Sequence, residues 1–427
     1  MKKKVSALNA LLASIFILFC TWLVTLVPLN SDILNPISKT FSDFKLTDIY
    51  YSHIKESSDE SSEIVLVNIG YMPREGIAEM INILNKYEPK VIGVDAFFRE
   101  SKSPEGDSLL QDAFSKCKNL ILVSELYENP ETKSIDSVGY SHPKFMQFAQ
   151  PGFADMITAG QDLFKVSREC IPKQKYKDQT LLSFPVQLAR LYNAEAAEKF
   201  LARNNELEEI NFHGNIITHL DGVTENSKNV FSALDVAQVF EEQFEPETIK
   251  DKIVILGFMG SDFKDPSWVD KFFTPLNPNY LGKTNPDMFG VVAHANIVAM
   301  ILKGDYINIV PDIWVYLASL LFLYLNTWLF SWMFHNLGEW WDGVSMLVSI
   351  VEVLLLTSIS IFIFHLFNYK FEITLLVLAL FLTGNLIEVY YGLITKLYLQ
   401  AVKTKNKQVK KHKNKTITNK PTETYEV

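Results

Sequence analysis

The chain has 427 residues, 48% of them hydrophobic and 21% charged, and a formal net charge of −9. Charge is unevenly distributed: residues 30–311 carry −14, the remainder +5. That acidity argues against nucleic acid as a partner, and the same stretch is long enough to bury one large core, or two at most.

From the N-terminus, three lysines (Lys2, Lys3 and Lys4) precede an uncharged run of 22 residues, 8–29. A signal peptide has a shorter apolar core and a small-residue cleavage site, so this run reads as an uncleaved anchor. A polar, irregular stretch follows and includes the Ser-rich segment 56–63. Short β-branched runs then alternate with amphipathic ones: EIVLVNIG (63–70), a helix over 75–87, KVIGVDAFF (90–98), a helix over 107–118, and NLILVSEL (119–126). Apolar strands separated by helices of this length predict a buried parallel sheet.

Residues 145–172 read as short strands and loops. A single long helix is expected over 181–203, and a hairpin over 209–219 turning at Gly214 and Asn215. Ser232 is placed as the N-cap of a helix reaching Gln243. KIVILGFM (252–259) is the clearest strand of the second half, and a last helix over 291–303 ends at Gly304. The fold class is therefore an α/β extracytoplasmic domain, three-layered with a mostly parallel sheet, plus four transmembrane helices, one N-terminal and three C-terminal.

The three closing spans are read at 312–334, 343–367 and 371–394, the third interrupted by Glu352 and the fourth containing Glu372 and Glu388. Lysines at the N-terminus and nine more between Lys396 and Lys420 place both ends in the cytosol by the positive-inside rule. With four spans, residues 30–311 lie outside, residues 1–7 and the basic tail 395–427 inside, and the expected location is a cytoplasmic membrane. Of three cysteines, Cys20 lies in the first span, while Cys117 and Cys170 are expected to be separate buried thiols, although the compartment would let them pair.

The exported region resembles the second class of CHASE domain, the cyclase- and histidine-kinase-associated sensory extracellular domains of bacteria. The resemblance rests on VIGVDAFF (91–98), GFADMITAGQDLFKVSREC (152–170), SFPVQLARLY (183–192), DKIVILGFMGSDFKD (251–265), FFTPL (272–276) and FGVVAHANIVAMILKGDYI (289–307). The order of one leading span, a domain and three closing spans matches as well. Two departures stand out. Asp162 is followed by Leu163 where such proteins usually have Asp-Gly before their Arg, here Arg168. The 33 residues after Ile394 are too few for the usual kinase or cyclase output and hold no phosphate-binding Gly loop. The resemblance implies a sensor, and by itself a dimer.

Candidate ligand-binding residues gather where loops leave the strands. Asp95 ends a predicted parallel strand, at the edge where open α/β sheets bind ligands. Asp107 follows Gly106 at a helix start, where it can hold a ligand or cap the helix. Asp262 lies in a Gly-Ser-Asp turn, as ligand or as an Asx-turn. Thr274 and His294 share the C-terminal stretch, His294 being either a packing residue or a ligand. Asp95, Asp262 and His294 could together hold a metal, but no i, i+4 His pair or Cys cluster supports that, and no metal or cofactor is expected. No G-x-S-x-G elbow occurs, so no catalytic residue and no enzymatic activity are assigned.

Glu352 and Glu388 fall at similar depth in adjacent spans and are expected to face one another or a subunit partner. The lysine-rich run 403–415 reads as too polar to fold alone and as a grip on anionic lipid. The leading reading is a membrane-anchored sensor of an unknown extracellular ligand, signalling through a separate kinase, cyclase or other partner. The rival is an envelope assembly protein reusing the fold.

Overall fold

The computed structural model describes residues 6–25, 45–55, 61–129, 131–132, 134–155, 166–217, 229–277 and 285–418. The chain divides into two units, one of residues 36–308 and 363–369, the other of residues 1–35, 309–362 and 370–427.

The first unit is built on a sheet whose central strands are β1 (Ile64–Asn68), β2 (Val91–Asp95), β3 (Leu120–Glu128) and β12 (Ile253–Gly257). β4 (Ile135–Gly139) and β5 (Gln150–Phe153) pair with β3 on one side, and β10 (Asn215–Ile217) and β11 (Asn229–Leu234) complete the other. The order is β10-β11-β1-β12-β2-β3, and every pairing is parallel except β3 with β4. β1 and β12 are buried at every position, which only strands covered on both faces achieve.

Alternating side chains divide the two faces. Val65, Val67, Ile92, Val94, Leu120, Leu122, Val254 and Leu256 pack with helices Arg74–Asn85 and Pro104–Ser115. The opposite face carries helices Phe184–Tyr192 and Gly290–Lys303. There a Cβ on Gly93 would come within 2.7 Å of Leu188, and one on Gly257 within 2.7 Å of Val291. The three-layer α/β architecture with a mostly parallel sheet is therefore what the chain forms. Residues 363–369 join this unit through Phe364, which meets Tyr50 edge-on at 5.0 Å.

Several local expectations are corrected. The helix expected over 181–203 is two, Phe184–Tyr192 and Ala194–Ala202. Asn193 leaves helical geometry (φ −144°) and its side chain caps the second helix through the Ala196 N–H at 3.2 Å. The expected hairpin over 209–219 does not form among its described residues. Glu208–Glu209 (β9) pairs with Glu169–Cys170 (β6), and β10 joins the main sheet beside β11. Ser232 lies inside β11, and the helix Val236–Phe240 is capped instead by Asp235 in a capping box with Gln238. The Asp162–Leu163 departure falls outside the described residues. Cys117 and Cys170 are separate free thiols.

In the second unit, four helices among the described residues are long and apolar enough to cross a membrane: Ala7–Val24, Asp312–Asn336, Gly338–Phe367 (its last turn belonging to the first unit) and Thr374–Ile394. Ala13, Ile17, Leu323, Phe330, Leu380 and Ile387 form the core among the first, second and fourth. The fourth helix continues without a break to Thr418, so the basic run 403–415 extends a helix rather than standing unfolded. Extending a formed helix adds a hydrogen bond per residue without a new nucleation cost, which offsets the polar composition.

Candidate functional site

β1, β12 and β2 are neighbours in register and end at one level, with Asn68 opposite Gly257 and Gly257 opposite Asp95. β1 and β2 lead into helices on one face, whereas β12 leads to Gly290–Lys303 on the other. Loops that part in this way open a crevice at the carboxyl ends of the strands.

One side of that edge is closed by Asn68, which is fully buried. Its Nδ2 donates to Asp235 Oδ1 at 2.9 Å and to the Gly260 carbonyl at 3.2 Å, and its Oδ1 accepts from Met259 N at 2.8 Å and Gly70 N at 2.9 Å. Every polar atom of this side chain is used. Gly70 and Gly260, at φ +48° and +86°, make the tight exits that bring these loops together.

Asp95, two strands away on the far side of β12, is handled in the opposite way. Among the described residues it takes no hydrogen bond, and its burial pushes its pKa up to about 6. His294, in the second turn of Gly290–Lys303, places Nε2 3.9 Å from Asp95 Oδ2, beyond hydrogen-bond reach. The ring is 3% exposed and rests edge-on against Phe184 at 5.3 Å, and Nδ1 is buried without a partner among the described residues. Burial lowers its pKa to about 4, so it is neutral at pH 7.

Asp270 completes the group. Its carbonyl accepts from Gly290 N at 2.9 Å, and a Cβ on Gly290 would lie 3.1 and 3.3 Å from its two carboxylate oxygens. The residue stays open to solvent although protein crowds it. Crowding, and then the charge of Asp95, push its pKa upward, with solvent screening part of that effect. Two acids that resist ionising and a neutral imidazole thus share one crevice, and among the described residues no three His, Cys, Asp or Glu are grouped to hold a metal ion.

The other sequence candidates are spent elsewhere. Asp107 is not the cap of its helix, which is Ser103, accepting from Gly106 N at 3.0 Å. It pairs with Arg74 and Lys144 and accepts from Ser101 Oγ at 2.6 Å. Despite the opposing effect of desolvation, these partners hold its carboxyl well below the usual range. Asp262 is exposed and forms an Asx-turn, Oδ1 accepting from Lys264 N at 2.7 Å. Thr274 is buried and donates its hydroxyl to Asp287 Oδ2 at 2.5 Å, which ties residues 274 and 287 together as a wall.

Sequence reasoning missed Asn68 and Asp270. It also missed that Arg168 makes a buried two-point ion pair with Asp48, Nε to Oδ1 at 3.0 Å and Nη2 to Oδ2 at 2.7 Å. In the second unit Glu352 and Glu388 do not face one another: Glu352 accepts from Asn326 of the preceding span, and Glu388 lies on an exposed face.

A mostly parallel α/β domain in a chain with one leading and three closing apolar helices defines a membrane protein that carries a folded α/β domain. Residues 23–336 match the family model described as CHASE2 domain, and the chain belongs to that family of sensory extracellular domains. Neither the curated proteins nor the solved structures yield a match.

Proposed function

We propose that residues 30–311 form an extracytoplasmic receptor whose ligand enters the crevice between Asp95, Asp270 and His294, and whose occupancy is read by a separate partner across a bacterial inner membrane. The observation that carries this reading is the pair itself: His294 Nε2 faces the half-buried Asp95 carboxylate at 3.9 Å, and neither group makes a hydrogen bond among the described residues. Polar groups that face one another without a hydrogen bond have lost part of their solvation, and a ligand that bridges them recovers some of it. The positive-inside distribution of lysines supports cytosolic termini, the basic helical extension after Ile394 fits an anionic lipid surface, and family membership supports sensing. The reading gives the chain no catalytic role.

The test uses the full chain in its native membrane. Partners captured by proximity labelling from the C-terminus are compared between the wild type and His294→Gln. The receptor reading expects a cytosolic or membrane partner whose labelling changes at least several-fold with the substitution. Capture of envelope-assembly proteins to the same extent in both would favour the assembly role instead.

A further inference from the structure

The crevice is not only acidic; aromatic side chains stand exposed on the loops that leave the same strand ends. Tyr71, just after β1, is 70% exposed and meets Phe258, just after β12, edge-on at 5.1 Å. Trp268, two residues before Asp270, is 49% exposed, and Phe97, two after Asp95, is 43% exposed. Large aromatics left in water at one edge of a domain mark a binding surface more often than chance exposure does. Aromatic faces beside carboxylates attract one kind of small molecule above others, an organic cation, by charge and by cation–π contact together.

We infer that the crevice takes a small protonated amine, its ammonium group held between Asp95 and His294 and its charge balanced by Asp270, with Trp268 flanking it. This rests on the crevice being the ligand site. The Asp95–His294 gap of 3.9 Å is too long for a direct bond, which leaves both acceptors available; a tetrahedral donor about 2.9 Å from each spans about 4.7 Å, so binding opens the gap by under about 1 Å. A neutral imidazole offers its lone pair, whereas the protonated ring would repel the ligand. An anion would meet two carboxylates with no described cation facing them. A metal lacks its ligand set among the described residues. The net charge of −14 over residues 30–311 adds long-range attraction for cations. Ammonium binding favours the ionised carboxylates, so binding releases protons and weakens as pH falls through about 6.

The full chain in detergent is titrated by calorimetry and thermal shift with three probes of matched size, n-butylammonium, butanol and butyrate, and with calcium. Saturable binding of n-butylammonium alone is expected, weakened tenfold or more by Asp95→Asn and by Asp270→Asn, several-fold by Trp268→Leu, and again between pH 7.5 and pH 5. Two substitutions at separate positions guard against misfolding of either. Asp95-dependent binding of butanol, butyrate or calcium in place of the amine overturns the amine assignment and leaves the crevice as the site. Amine binding that ignores both Asp95→Asn and Asp270→Asn overturns the crevice as well. No binding of n-butylammonium under any condition overturns the amine assignment.

Discussion

Asp95 and Asp107 are twelve residues apart, both placed by the exit of the same strand, and they occupy opposite physical states. Asp107 has Arg74, Lys144 and Ser101 around it and is more acidic than a free carboxyl. Asp95 has no hydrogen bond among the described residues and is less acidic. One acid stabilises the fold; the other is maintained at a cost to it. Sequence position alone does not distinguish them, because the charged partners of Asp107 come from residues 33 positions before it and 37 after it. The contrast teaches that an acid at a sheet edge is a binding candidate only when the fold leaves it unpaired.

The comparison breaks most readily at Asp107. Asp107→Ala leaves the Arg74 guanidinium, 7% exposed, without its carboxylate, and removing one partner of such a buried pair costs about 3–5 kcal/mol. Denaturant unfolding of the full chain should show that loss. A change under 1 kcal/mol would mean that the ion-pair cluster is ornamental. The wild-type contribution of Asp107 should be intact above about pH 4, the unfolded value, and should fade as pH drops below it.

Asp95→Asn should move in the other direction. Its folded pKa of about 6 lies above the unfolded value, so the native state holds a proton that the unfolded state releases between about pH 4 and 6. Stability contributed by Asp95 is therefore complete below pH 4 and lost as pH rises to 6. At pH 7 the substitution is expected to stabilise the domain by about 2–3 kcal/mol, and at pH 4 to leave it nearly unchanged. Equal effects at the two pH values would show that Asp95 is solvated like any surface acid.

The crevice also depends on how closely its walls approach. A Cβ on Gly257 would lie 2.7 Å from Val291, one turn before His294 in the same helix. Gly257→Ala should cost about 1–3 kcal/mol, as overpacking does, and displace the start of that helix. Calorimetry should then show weaker ligand binding in this variant, while Asp107→Ser, in whatever fraction folds, binds normally. If Gly257→Ala unfolds less readily than the wild type, the helix is not seated on β12 as described.

How much of this was legible follows from where each signal resides. The strands could be read because burial on both faces demands unbroken β-branched runs, and IVLVN, VIGVD and IVILG satisfy that locally. The positions of Asp95 at a strand end and His294 early in a helix could be read because both are local features. Ser232 was misplaced because a Ser before an apolar stretch resembles an N-cap, yet NVFSAL is a strand by its parallel pairing with β1, a contact 167 residues away in sequence. Asp235 and Gln238 carried the capping-box signal three residues further on. Asn193 inside an otherwise helical pattern was the available clue to the break there. Asp270 lies in an irregular loop with no periodicity to mark it; only its neighbours Trp268 and Val269, too apolar for a solvated loop, point to a surface with a purpose. The pairing of Arg168 with Asp48 spans 120 residues, and no spacing rule reaches that far.

The smallest effect is expected in the second unit, where the same contrast recurs between Glu352 and Glu388. Glu352 accepts from Asn326, a polar side chain only 5% exposed on the preceding span, whereas Glu388 lies on an exposed helix face. Hydrogen bonds between membrane helices are worth about 0.6 kcal/mol on average and up to about 1.7, because the separated helices also find partners in the bilayer. Glu352→Gln keeps an acceptor for Asn326 and should change thermal stability in detergent by no more than the average value. Glu352→Leu should lose the interaction, and the double variant with Asn326→Leu should recover part of that loss, since it removes the stranded amide as well. If both single variants and the pair behave alike, the contact is incidental and the helices are held by the packing of Phe330, Leu323 and Leu380 alone. Glu388→Leu, by contrast, strands no amide among the described residues; a fall in stability together with loss of a dimer in cross-linking across a dilution series would place Glu388 at a contact with a second copy.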